Sequence, residues 1–203
     1  MSAAAAPAAE PSELFIVGFS GTELPAELRP RLARGDFAGL VFFSRNFSAP
    51  ADPVATAEFL RATAAVYQPS LPHLQALPPI LSIDHEGGRV QRLKAPLTVW
   101  PPMGRLRAHP PALAEEVGRA MAVELAALGL NVNFAPVLDV NSNPQNPIIG
   151  DRAFGETAAA VSTRALAFLR GLESPGGLRG CGLFFNGTAA TETDSHLTLP
   201  VVR

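Results

Sequence analysis

Lysine is almost missing from this 203-residue chain: Lys94 stands alone beside fifteen arginines. Any chemistry that needs a lysine base or a Schiff base must use Lys94. Cysteine is equally scarce, and a single Cys181 excludes an intrachain disulfide framework and suits a reducing compartment. Neither charge is in excess. Sixteen Lys+Arg against eighteen Asp+Glu leave a net charge of −2, so there is no basic footprint for nucleic acid or anionic lipid. No apolar run approaches the roughly 18 to 20 residues that a membrane span requires. A phosphate-cradling glycine loop is also missing, because Gly18-Phe19-Ser20-Gly21 fits neither the dinucleotide nor the P-loop pattern.

What is present suits a globular chain, with 47% hydrophobic and 17% charged residues. Residues 1–12 are small and broken by proline, and are expected to form a loose tail with no signal-peptide character. A cytoplasmic location is expected on that basis. From residue 13 onward, short apolar runs alternate with helix-like stretches.

Strands are expected at Leu14–Gly18, Gly39–Phe43, Ile80–Ile83, Asn131–Ala135 and Leu178–Phe185. Helices are expected near 25–34, 51–67, 111–128 and 156–172. In the second helix, Asp52 is the N-cap, Pro53 opens the first turn, and Ala55, Phe59, Ala62 and Val66 form the apolar stripe. In the third, Leu113, Val117, Met121, Leu125 and Leu128 repeat at helical spacing before a C-cap Gly129. Cys181 is read as a buried strand residue. This alternation implies a parallel sheet with right-handed crossovers. Polar residues gather just after strand ends: Arg45 and Asn46, then Asp84, then Asp139. In a barrel that face carries the chemistry. The fold expected is therefore α/β, a (β/α)8 TIM-type barrel cut short after about five of its eight strands. An open parallel sheet edge would favour self-association.

The segment Ser82 to Arg92, SIDHEGGRVQR, concentrates the reactive side chains. Asp84 can accept hydrogen bonds from substrate hydroxyls, and Arg92 can clamp a polar or anionic group. An Asp84–Arg92 ion pair tying the loop to the rim is the equal alternative. Further on, Asp194-Ser195-His196 places an acid and an imidazole at i and i+2, on one side of an extended loop. Asp194 can then orient one ring nitrogen of His196 while the other moves a proton. Taken alone, such a triplet also fits a loop or capping motif.

These segments, together with Gly39–Asn46, Asn131–Val140 and Ile149–Gly155, resemble the N-terminal barrel of glycoside hydrolase family 3. The likeness spans residues 14–203 and is nearest to bacterial β-N-acetylglucosaminidases of peptidoglycan recycling. It implies removal of terminal β-linked N-acetylglucosamine from cell-wall (muropeptide) fragments by a retaining mechanism. It implies that Asp84, Arg92 and Arg152 bind the sugar at the cleavage subsite, and that His196 and Asp194 form the acid/base dyad. No cofactor and no metal are implied, and the partner is a small carbohydrate, with no nucleic acid or membrane. On this reading residues 13–203 are one incomplete barrel domain.

Two departures from the family pattern matter. Leu183 and Phe184 stand where the family has a Lys-His pair, and Thr188 stands where it has a later histidine. Each lost polar partner is expected to cost about 1–3 kcal/mol of ligand binding. The family's nucleophilic aspartate is expected on a strand beyond Arg203, so this chain alone is expected to be inactive or impaired. Two other readings stay open. One is a non-catalytic remnant or sugar-binding fragment. The other is a metal-dependent barrel hydrolase using Asp84, His85, Glu86, Asp194 and His196, which no His-x-x-x-His or cysteine pair supports.

Overall fold

The computed structural model describes residues 14–69 and 78–183. The 1–12 tail, Phe184, Thr188, Asp194 and His196 lie outside the described residues. The first strand, β1, is Ile16–Val17, followed by helix α1, Arg29–Arg34. Strand β2 is Gly39–Phe42 and helix α2 is Pro53–Val66. Strand β3, Ile80–Ile83, leads directly into a hairpin of β4, His85–Gly87, and β5, Val90–Gln91. Helix α3, Pro111–Leu128, precedes β6, Val132–Asn133, and helix α4, Ala158–Leu172, precedes β7, Arg179–Gly180.

Strands β1, β2, β3, β6 and β7 form one sheet in that spatial order, every neighbouring pair parallel. Apart from the hairpin, each strand lies beside its predecessor in sequence. That is the order of a barrel wall; a doubly wound sheet reverses at a switch point. Gly39 pairs with Ile80 and Phe42 with Ile83, so the chain segments after β2 and β3 leave the sheet side by side. The core beneath is apolar, with Leu32, Leu40, Phe42, Leu60, Ile83, Leu125 and Phe168 sealed from solvent.

The helices start and stop where their termini dictate. Asp52 Oδ1 accepts from the amides of Val54 and Ala55 at 2.9 and 3.1 Å, closing the N-terminus of α2. Gly129 takes φ of 104° at the end of α3, a conformation that side chains disfavour. Helices α3 and α4 cross closely because Gly118 lies against the Phe168 carbonyl and Gly171 against the Glu115 carbonyl, leaving no room for a Cβ.

Three local expectations need correction. The buried stripe of α2 is Thr56, Leu60 and Thr63, whereas Ala55 and Ala62 are exposed. Threonine is tolerated there because Thr63 Oγ1 donates to the Phe59 carbonyl at 2.8 Å, so its hydroxyl stays satisfied within the helix. The fourth and fifth strands are much shorter than their apolar runs. Pro136 has no amide to donate, the ladder breaks beside it, and among the described residues pairing resumes only as a Val137–Leu183 bridge. Cys181 is exposed, not buried, just past β7, which is an edge strand among the described residues.

Candidate active site

Among the described residues, Arg45 and Asn46 follow β2, Asp84 follows β3, and Arg92 and Arg152 lie in the segments beyond β5 and β6. Asp84 follows β3 at once, before the chain doubles back through the β4–β5 hairpin. The turn uses Gly87 and Gly88 at φ of 94° and 60°. The hairpin returns Arg92 to Asp84, and Arg92 Nη2 donates to Asp84 Oδ2 at 2.8 Å. About a quarter of each side chain remains exposed, so the pair is reachable from solvent. The Arg92 guanidinium also lies 5.5 Å from the centroid of the Phe43 ring, and that of Arg45 lies 4.3 Å away. The rim pairing considered from sequence is therefore real, and Asp84 Oδ1 has no hydrogen bond among the described residues.

Asn46 ties the preceding loops together. Its Nδ2 donates to the carbonyls of Phe19 and Gly21, and its Oδ1 accepts from the Phe43 amide. Gln91, 3% exposed, performs the same service beside Arg92. Its Nε2 donates to the carbonyls of Leu93 and Thr98, and its Oε1 accepts from the Trp100 amide. Glu124 Oε1, from α3, accepts from both the amide and the hydroxyl of Thr98.

Arg152 sits deeper. Its Nε and Nη2 each donate to one oxygen of Glu86 at 2.8 Å, a bidentate pair between two buried side chains. Arg152 Nη1 also donates to the Ile148 carbonyl. Glu86 enters the sequence reading only as a conceivable metal ligand, yet it is the group that orients Arg152. The sole hint was a carboxylate two residues from Asp84 in a run leaving a buried strand.

His85, between the two acids, is 1% exposed. Burial, and secondarily the positive charge of Arg92, push its pKa down to about 4. The ring is neutral at pH 7, and both its nitrogens lack a partner among the described residues. Its backbone is held by the Asn133 side chain. Asn131 does likewise for β3, accepting from the Leu81 amide and donating to the Pro79 carbonyl, each at 2.8 Å. Neither asparagine was legible as a positioning group, though a polar residue in a buried strand is a signal worth following. Asp139 is fully buried. Asp84 and Glu86 turn to different arginines, and no three His, Cys, Asp or Glu groups converge among the described residues.

Chemically, the assembled part of the site is a solvent-reachable carboxylate–guanidinium pair over an aromatic ring, suited to binding hydroxyls. Comparison with known proteins gives it a context. A curated beta-hexosaminidase of Thiobacillus denitrificans is 38% identical over 196 residues, covering 93% of this chain and 51% of that protein. One of Nitrosospira multiformis is 36% identical, with 92% and 52% covered. The chain thus spans about half the length of the curated relatives it matches. Among solved structures, the glycoside hydrolase family 3 beta-N-acetylglucosaminidase of Paenibacillus superposes with a TM-score of 0.80 at 34% identity, with 93% of this chain and 35% of that one covered. NagZ of Neisseria gonorrhoeae, in complex with N-trifluoroacetyl-D-glucosamine, superposes at 0.77 and 33% identity, with 91% and 53% covered. The profile of the glycosyl hydrolase family 3 N-terminal domain matches residues 11–203. This chain belongs to that family.

Proposed function

We propose that this chain supplies the sugar-binding part of a β-N-acetylhexosaminidase that removes terminal β-linked N-acetylglucosamine from cell-wall fragments by a retaining, two-step mechanism. Asp84, Arg92 and Arg152 hold the sugar in this reading. His196, oriented by Asp194, protonates the leaving oxygen and then deprotonates water. The observation that carries it is the solvent-reachable Asp84–Arg92 pair at the strand ends of a parallel barrel wall. The N-trifluoroacetyl-D-glucosamine complex of the similar Neisseria protein supports the choice of sugar. A role in peptidoglycan recycling, in the cytoplasm, follows from the same reading. Residues 13–203 belong to one barrel-type domain in this reading, and self-association would run through the sheet edge at β7.

No residue of this chain is assigned the nucleophile, so these 203 residues by themselves bind sugar and are inactive or impaired in hydrolysis. Titration with N-acetylglucosamine and a chromogenic β-N-acetylglucosaminide assay test both halves. Saturable binding without hydrolysis is expected. Turnover that vanishes in His196→Ala would refute the claim of inactivity, and absence of sugar binding would refute the reading altogether.

A further inference from the structure

Arg152 hangs on a segment with little regular structure of its own. Between β6 and α4 the only helix among the described residues is a single 3-10 turn, Gly150–Arg152. Asn146 secures the amides just before it, its Oδ1 accepting from Ile148 and Ile149 at 2.9 and 2.8 Å. The carbonyls of the same stretch are answered from 58 to 60 residues away. Arg89, in the turn between β4 and β5, donates through Nη1 to the Pro147 carbonyl at 2.9 Å. Its Nη2 donates to the carbonyls of Ile148 and Ile149.

The Ile148 carbonyl is shared, because Arg152 Nη1 donates to it as well, at 3.0 Å. A carbonyl oxygen has two lone pairs, so the two guanidinium groups meet there without competing. Glu86, on the same hairpin as Arg89, holds the Nε–Nη2 edge of Arg152. The hairpin thus clasps Arg152 twice, once at its head group and once at the backbone before it. We propose that Arg89 is a positioning residue for Arg152: it fixes the carbonyls of Pro147 to Ile149 so that the Arg152 guanidinium is in place before a sugar arrives. Such preorganisation raises affinity by removing an ordering cost from the binding step. The assignment rests on the reading in which Arg152 holds the sugar, and it requires no contact between Arg89 and the sugar.

The test is calorimetric titration of the full chain with N-acetylglucosamine, with urea unfolding run beside it. Arg89→Gln is expected to weaken binding about three- to tenfold, the scale of ordering one or two side chains. Its urea midpoint should stay near the parent's, because Arg89 is exposed and water can take its place on the carbonyls. The same substitution is then made in Glu86→Gln/Arg152→Gln, which exchanges the buried ion pair for two amides that can bond each other. There its effect on affinity should vanish, since nothing remains for Arg89 to position. Arg89→Lys, which keeps the charge without the planar fork, should fall between the parent and Arg89→Gln, and it replaces Arg89→Gln if that variant does not fold. Unchanged affinity in both single variants, or an equal loss with and without Arg152, overturns the positioning role and leaves the sugar reading standing. If the parent chain does not bind the sugar, that reading falls and the positioning role falls with it.

Discussion

The side-chain amide of Asn133 is bonded twice to the backbone of His85. Its Oδ1 accepts from the His85 amide at 3.0 Å, and its Nδ2 donates to the His85 carbonyl at 2.9 Å. A side chain of β6 thus reaches past the end of β3 at Ile83 to hold the backbone of His85. Both backbone groups are buried, so they have no water to turn to.

Removing that side chain should therefore be costly. Asn133→Ala leaves a buried donor and a buried acceptor unpaired and is expected to destabilise the fold by about 2–4 kcal/mol. Urea unfolding of the two proteins measures it. A loss below about 0.5 kcal/mol would mean that water replaces the amide.

The Glu86–Arg152 ion pair is buried on both sides and bidentate. Breaking it with Arg152→Met strands a carboxylate that is almost wholly buried, at an expected cost of about 3–5 kcal/mol. The exposed Arg107–Glu156 pair serves as a reference, and Arg107→Met should cost no more than about 1 kcal/mol. Similar losses for both variants in denaturant melts would contradict the importance of burial here.

His85 gives the fold an acid-sensitive step. Free histidine titrates near 6.5, whereas in the folded chain burial holds His85 at about 4. Between those values the unfolded chain takes up a proton that the folded chain refuses. Stability is thus complete above about pH 6.5 and falls as pH drops toward about 4, by up to about 3 kcal/mol. Thermal melts of His85→Gln should show a shallower decline over that window. Parallel pH profiles for the two proteins would refute it.

Arg92 should separate binding from folding. Its pair with Asp84 is partly solvated, so Arg92→Ala should cost the fold only about 1 kcal/mol or less. Affinity for N-acetylglucosamine should fall about ten- to a hundredfold, the loss of one or two charge-assisted hydrogen bonds. Unchanged affinity would remove Arg92 from the sugar site.

Much of this was legible in the chain itself. Asp52 and Gly129 mark helix ends by side-chain chemistry and backbone freedom alone, and both stand where expected. Strand β3, bounded by Pro79 and Asp84, was read with its limits intact. In the α2 stripe Phe59 and Val66 do pack against the core, whereas Ala55 and Ala62 do not, because alanine scores as apolar yet gains little from burial and threonine can hide its hydroxyl inside a helix. Strands β6 and β7 were overlong because hydropathy does not register the donor that Pro136 lacks.

Composition and spacing by themselves determined that this is an α/β chain with strand-end polar residues. Ordered motifs determined its family. Those properties reside in local backbone preference and hydrophobic period, which neighbouring residues set. Only the tertiary structure decided that Asn131 and Asn133 stand in for backbone of β3 and His85, and that Glu86 takes Arg152 from 66 residues away. Each depends on the register between strands, which places groups at ångström precision and has no signature in the spacing of residues along one segment.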